Sequence, residues 1–348
     1  MIETKGYAAL LPGSLMNEWN FERREVGPND VQFDILYCGV CHSDLHQIRN
    51  DWFEGIFPMV PGHEIVGRVA KVGTNVSRFK IGDLVGTGCM VDSCKECESC
   101  RDGEEQYCEN GNIQTYNSIN HYTDKVPTYG GYSKTIVVKD DFVLRVPENL
   151  SLPGVAPLLC AGITTYSPLK YWKVGKGHKL AVLGLGGLGH MAVKFGVAFG
   201  ADVTVLSTSE SKREDALKLG ANNFIATNDQ QQFDSVKNSF DFILDTVSAN
   251  HDIAEYMGLL KTNGTHICVG LPNDPSQIPA FTLVSNRKSL AGSLLGGLNE
   301  TQEMLDFCSA HDIVSDVEVI DMSYIHEAFK RMERNDVKYR FVIDMETL

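Results

Sequence analysis

Residues 179–189 read Lys179-Leu-Ala-Val-Leu-Gly-Leu-Gly-Gly-Leu-Gly189. The apolar run Leu180–Leu183 has the length of a buried strand and is too short for a helix. Glycines follow at 184, 186, 187 and 189, and then the apolar period changes. Leu188, Met191, Ala192 and Phe195 fall on one helical face. A glycine-rich turn alone is an ordinary structural feature. Set between a strand and a helix, it lets the backbone approach a pyrophosphate at the helix N-terminus, so Gly184, Gly186, Gly187 and Leu188 read as a dinucleotide-binding turn.

The surrounding sequence keeps this rhythm. Asp202–Leu206, Phe240–Asp245 and Thr265–Gly270 are further strand-like runs with helical sequence between them, and Ser211–Glu214 has the form of a helix capping box. Such alternation implies a doubly wound parallel sheet covered on both faces, an α/β class. The tip of the second strand decides the cofactor. An acidic residue there would bind a ribose 2′-hydroxyl. The chain instead has Ser207-Thr208-Ser209, followed by Lys212 and Arg213. Hydroxyls and a cation suit a 2′-phosphate, so NADP(H) is expected. Glu210 would admit NAD if it faced the ribose, and Arg213 is equally readable as a solvated helix face.

Before about residue 155 the texture differs. Residues 1–90 read as all-β, with alternating runs such as Val31–Leu36 and Ile65–Val72 broken by Gly, Pro, Asn and Asp. Residues 89–130 read as loop, and the pattern shift near 145–160 marks a domain boundary. From about Leu295, a helix over Thr301–Ala310, strands over Val317–Ile320 and Arg340–Asp344 and a helix over His326–Glu333 are expected. The 348 residues suggest about two domains, and a hydrophobic fraction of 43% can build a large core. The net charge of −14 argues against nucleic acid or an anionic membrane as partner. No membrane span or secretion signal is evident, which predicts a cytoplasmic protein with reduced thiols.

The second decisive stretch is Cys38–Glu64, CGVCHSDLHQIRNDWFEGIFPMVPGHE. Cys41, Ser43, His46, His63 and Glu64 are the inventory of a catalytic zinc site with a proton path. A third ligand must come from elsewhere, and Cys160 at the domain junction is the candidate. Cys94, Cys97, Cys100 and Cys108 form C-x2-C-x2-C-x7-C. Four thiolates make a closed structural zinc site; a ferredoxin-like cluster would continue x3-C-P, which this chain does not. Cys38, Cys89, Cys268 and Cys308 read as small buried hydrophobes, and the other histidines, among them His251 and His266, as core or surface residues.

Gly62-His63-Glu64, Gly67, Gly73 and Val76 spell G-H-E-x2-G-x5-G-x2-V. This run resembles the signature of the zinc-containing medium-chain alcohol dehydrogenases. Cys38–His46, Tyr129–Tyr132, Ser207–Ser209 and Gly292–Gly297 resemble their cinnamyl-alcohol-dehydrogenase-like branch. The resemblance implies a GroES-like catalytic domain over 1–160 and 295–348 and a Rossmann NADP-binding domain over 161–294. It implies a homodimer that moves a hydride between NADP(H) and a primary alcohol or aldehyde, with aromatic, cinnamyl-type aldehydes included. Two zinc ions are implied, one on Cys41, His63 and Cys160 with Glu64 beside it or as a fourth ligand. Asp44 would orient His63. Ser43 would take the alcohol proton and pass it through the nicotinamide ribose to His46. His42 and Arg340 would face the pyrophosphate, and Thr164, Thr246 and Val269 the nicotinamide half. In the substrate pocket the chain departs from plant enzymes, with Gln114 and Leu294 where aromatics stand; Trp52 and Phe53 could supply aromatic surface. An NAD-using polyol or formaldehyde-type dehydrogenase, and a non-catalytic protein that kept the fold, are the competing readings.

Overall fold

Asp30–Val40 is the spine of the first of two units, which comprises Met1–Ile163 and Gly296–Leu348. The computed structural model describes residues 1–348. The spine's alternating Val31, Phe33 and Ile35 are β-branched or aromatic and buried, which suits a strand with a core on one face. It pairs antiparallel with Ile65–Val72, Thr135–Lys139 and Arg340–Asp344 in a seven-stranded sheet. Phe341, Ile343, Tyr132 and Phe142 fill the same core. Burying each such side chain contributes roughly 1.5–3 kcal/mol.

The expectation that residues 1–90 are all-β is corrected by one helix, His42–Arg49. Its eight residues are mostly polar, so the apolar signal rests on Leu45 and Ile48 alone. That is too little to show a helical period. After the loop, the chain returns to the sheet as the strand Thr135–Lys139.

The second unit, Thr164–Leu295, holds a six-stranded parallel sheet. Its spatial order is Asn223–Ala226, Asp202–Ser207, Lys179–Leu183, Phe240–Asp245, Leu260–Cys268, Ser289–Gly292. In chain order this is 3-2-1-4-5-6, the Rossmann arrangement with its ligand crevice at the strands' carboxyl ends. The helix Gly189–Ala198 follows the glycine turn, with Met191, Ala192 and Phe195 buried. The expected capping box at Ser211–Glu214 does not form. A 3₁₀ turn, Glu210–Lys212, leads into the helix Arg213–Lys218 instead. It leaves the Ser211 hydroxyl bonded to Ser209 (2.8 Å) and Glu214 paired with Lys218 (2.7 Å). No helix is long and apolar enough to cross a membrane.

Candidate active site and metal centres

The helix His42–Arg49 starts immediately after Cys41, whose backbone is still extended (φ −116°, ψ 153°). Asp44 in its first turn accepts the Cys41 N–H at 2.9 Å, which satisfies a donor that a helix start leaves open. The helix buries Asp44, Leu45 and Ile48 and turns Ser43 and His46 to one side, three residues apart. Cys41 Sγ lies 3.5 Å from Ser43 Oγ. Asn50 ends the helix in the left-handed region (φ 60°), and the chain returns Asp51 to His46. Asp51 Oδ2 is 2.8 Å from His46 Nδ1, and the Trp52 ring stacks on the His46 ring at 5.0 Å.

His63 arrives on a turn that requires glycine. Gly62 has φ +99°, and a Cβ there would lie 2.7 Å from the Tyr132 ring. Asp44 Oδ1 accepts the Gly62 N–H at 3.1 Å and lies 3.2 Å from His63 Nδ1. Tyr132 donates its hydroxyl to Asp44 Oδ2 at 3.1 Å. The Nδ1 proton of His63 therefore points to Asp44, which leaves Nε2 to ligate. Cys160 closes the short turn Ala156–Leu159.

Cys41, His63, Glu64 and Cys160 place one ligand atom each within 4.8 Å of one another, all buried. Cys41 accepts from the Cys160 thiol, which holds Cys41 well below the ordinary thiol range and Cys160 well above it. Burial pushes the Glu64 carboxyl up to about 7, against the pull of Arg340. Arg340 donates to Glu64 Oε1, while Oε2 is buried without a hydrogen-bond partner. Gly39 makes room for it, since a Cβ there would lie 1.9 Å from Oε2. Two thiols, one imidazole and an unsatisfied carboxylate oxygen fit a three-ligand zinc centre that keeps a position for substrate.

The second cluster, Cys94, Cys97, Cys100 and Cys108, also converges within 4.8 Å. Backbone N–H groups of Cys97 (3.4 Å) and Cys94 (3.5 Å) point at Cys94 Sγ and Cys108 Sγ. Main-chain N–H groups, with Glu96 foremost, bring the Cys94 thiol down to about 6, while burial pushes Cys100 up to about 12. All ten cysteines are free thiols, so the loop has no disulfide to hold it. A tetrahedral zinc fits this all-sulfur set.

In the Rossmann unit Gly184 has φ +88°, and a Cβ on Gly189 would lie 2.1 Å from the Gly184 carbonyl oxygen. Side chains at these positions would break the turn. Thr246 donates its hydroxyl to the Leu183 carbonyl at 2.8 Å and so braces it. At the second strand's tip, Ser207 Oγ accepts the Ser209 N–H at 3.2 Å and Thr208 is exposed. Lys212 donates to the Leu185 carbonyl at 2.8 Å, setting its charge between the tip and the turn. Glu210 is engaged by Arg213 (3.1 Å), which also lies over the Phe224 ring at 4.7 Å. Arg213 thus has a packing role, and Glu210 is held by a cation.

His42 is exposed at its helix start, and Thr164 and Val269 are buried. Gln114 is half-buried and donates to Asn112 at 2.5 Å, while Phe53 and Leu294 are exposed. Sequence reasoning missed three residues that hold the others in place: Asp51 beside His46, Tyr132 beside Asp44, and Asp245. An acid five positions after a helical histidine was the only available signal, and it pointed to Asp51 alone.

Residues 27–148 match the alcohol dehydrogenase GroES-like domain, and residues 187–310 match the zinc-binding dehydrogenase family. The chain is 52% identical over 349 residues to NADP-dependent alcohol dehydrogenase C 1 of Mycolicibacterium smegmatis, covering 100% of this chain and 99% of the relative. It is 54% identical over 327 residues to a probable formaldehyde dehydrogenase of Bacillus subtilis, covering 94% and 93%. A cinnamyl alcohol dehydrogenase structure from Sorghum bicolor superposes with a TM-score of 0.96 at 46% identity, covering 99% and 98%. Full-length identity at this level, with both ligand sets and the glycine turn in place, means that the chain belongs to the zinc-binding alcohol dehydrogenases.

Proposed function

We propose that this protein is an NADP-dependent alcohol dehydrogenase and aldehyde reductase that transfers a hydride between NADP(H) and primary alcohols or aldehydes. The observation that carries the reading is the convergence of Cys41, His63 and Cys160 beside the Ser43 and His46 helix. When bound, zinc supplies Lewis acidity at the substrate oxygen and NADP(H) supplies or accepts the hydride. Cys41, His63 and Cys160 hold the metal, with Glu64 buried beside them. Asp44 fixes the His63 ring. Ser43 accepts the alcohol proton during oxidation and returns it during reduction. His46 exchanges it with solvent, and Asp51, on Nδ1, leaves the His46 Nε2 free for that exchange. The Cys94–Cys108 zinc is structural.

The strand tip Ser207–Ser209 with Lys212 supports NADP(H) over NAD, as does the pairing of Glu210 with Arg213. The names of the relatives point the same way for NADP and divide over the substrate. His42 and Arg340 are the proposed pyrophosphate contacts, and Thr164, Thr246 and Val269 the nicotinamide contacts. Trp52, Phe53, Gln114 and Leu294 are the proposed substrate-facing residues, and aromatic aldehydes are within the proposed range. A panel of aliphatic and aromatic aldehydes with NADPH or NADH, followed by nicotinamide absorbance with and without a chelator, tests the whole reading. Equal or better turnover with NADH would sink the cofactor assignment. No turnover of any aldehyde would favour a binding protein that kept the fold.

The protein is further proposed to be a cytoplasmic homodimer. Ten free thiols fit a reducing compartment. The edge strand Ser289–Gly292 is unpaired on one side, and Leu290 (38%) on it and Phe281 (76%) and Val284 (71%) on the preceding helix Ala280–Val284 are exposed. An open apolar edge of this kind suits pairing with a second copy. Light scattering on the purified chain decides it: a monomer mass at micromolar concentration refutes the dimer.

A further inference from the structure

Asp245 is the last residue of the strand Phe240–Asp245 and is 2% exposed. Its main-chain carbonyl accepts from the N–H groups of Val269 and Gly270, each at 2.9 Å. Its Oδ1 accepts the Val247 N–H at 3.0 Å. Its Oδ2 lies 2.7 Å from His251 Nε2 and 3.0 Å from His266 Nε2. The adjoining residue, Thr246, gives its N–H (3.0 Å) and its hydroxyl (2.8 Å) to the Leu183 carbonyl, directly before the glycine turn. Asp245 therefore ties the brace of that turn to the strand end that carries Val269.

The charge state of His251 follows from its two contacts. Nδ1 lies 2.8 Å from the Ala249 carbonyl oxygen, and Nε2 faces the Asp245 carboxylate. Both neighbours only accept, so the two contacts are met in full by a ring with protons on both nitrogens, an imidazolium. A buried carboxylate needs such a counter-charge. His266 adds a second contact through Nε2, while its Nδ1 is buried without a hydrogen-bond partner; only the His251 ring has an acceptor at both nitrogens. The other groups around His251 are Asp252, the Tyr256 ring at 5.7 Å, and Asp274, which lines a surface hollow together with His251 and Asp252; Cys268 lies beyond Asp245.

We propose that His251 and Asp245 are positioning residues for NADP(H): their charged pair holds Thr246 and Val269 where the nicotinamide half of the cofactor is received, and the hold weakens when the ring loses its charge. This rests on the reading of the unit as the NADP(H) site. The bond to Asp245, foremost, raises the His251 value above its ordinary 6.5. The hold is therefore complete below about pH 6.5 and is lost as pH rises through the raised value. Asp245, His266 and Cys268 also place ligand atoms within 4.8 Å of one another. Here, however, both carboxylate oxygens have partners and the charge is already balanced, unlike Glu64 Oε2, so a proton clasp is favoured over a third metal.

The test is NADPH binding to the zinc-loaded enzyme, read by nicotinamide fluorescence from about pH 6 to about pH 9.5, for the wild type and His251→Gln. At about pH 6.5 the variant should bind about tenfold more weakly, the loss expected from one charged hydrogen bond. The ratio of the two Kd values should then close toward one at the alkaline end. A ratio that stays constant across the range overturns the proposal, because a purely structural defect would behave that way. Three zinc ions per chain, falling to two in Asp245→Asn, would overturn it in favour of a metal site. If the wild type binds NADH and not NADPH, the cofactor reading fails, and the same ratio measured with NADH still decides the clasp. If His251→Gln does not fold, the ¹⁵N shifts of the wild-type His251 ring at about pH 6.5 decide: imidazolium shifts support the clasp and neutral shifts overturn it.

Discussion

Asp44 Oδ1 lies 3.2 Å from His63 Nδ1, and the same carboxylate caps the helix that presents Ser43 and His46. One buried acid thus holds the candidate ligand His63 and the helix that carries the proposed proton path. Its further bonds to the Gly62 N–H and the Tyr132 hydroxyl fix where that acid can sit. Asp44→Asn keeps the shape and removes the charge. Zinc affinity at the Cys41 centre should fall about 10–100-fold, the usual effect of losing a carboxylate behind a ligating imidazole. Chelator competition measures it, with the four-cysteine zinc as an internal reference. Equal retention of both ions would refute the role.

Ser43→Ala should lower kcat by about 10²–10⁴-fold with both zinc ions retained, as expected for loss of a proton-transferring group. Asp51→Asn should cost less, since it weakens the contact that orients the His46 ring without removing the ring itself. Steady-state kinetics with metal analysis checks both. A fully active Ser43→Ala enzyme would exclude the proton path.

Gly39→Ala probes the space reserved for Glu64. The new Cβ would lie 1.9 Å from Glu64 Oε2, and that carboxylate is pinned by Arg340. The site must distort, so the variant should carry one zinc per chain and no dehydrogenase activity. Two zinc ions and wild-type turnover would show that the Glu64 side chain moves freely.

Cys97→Ser removes one thiolate from the outer cluster. The variant should lose that zinc alone and become sensitive to protease within residues 94–111, because little apolar sequence there packs without the metal. Metal analysis and limited proteolysis read the two effects. Cleavage elsewhere, with this loop intact, would contradict a structural role.

Ser209→Asp places a carboxylate at the tip of the second strand, beside Lys212. The ratio of kcat/KM for NADPH to that for NADH should fall at least about tenfold, through repulsion of the 2′-phosphate. An unchanged ratio would mean that the 2′-phosphate does not lie at this tip.

Ligand chemistry and local pattern were legible in the chain. C-x2-C-x2-C-x7-C keeps four thiols within one loop's reach, and a strand followed by Gly184–Gly189 and a helical period is a local signal. The helix His42–Arg49 was not legible, because its stability comes from burying Leu45 and Ile48 and from the Asp44 bond to Cys41 rather than from its own period. The capping box at Ser211 looked valid in one dimension and lost to a 3₁₀ turn.

By itself the sequence determined which atoms could bind metal and which turn could receive a pyrophosphate, since those depend on residue type and short spacing. Only the tertiary structure decided that Asp44 serves both His63 and Cys41, that Arg340 is paired with Glu64, and that Asp245 gathers His251, His266, Val247, Val269 and Gly270. The physical reason is burial. Those charged and polar groups find partners across long stretches of chain because the packed core gives them no water, and which partner each meets depends on strand register and side-chain packing that no local pattern records.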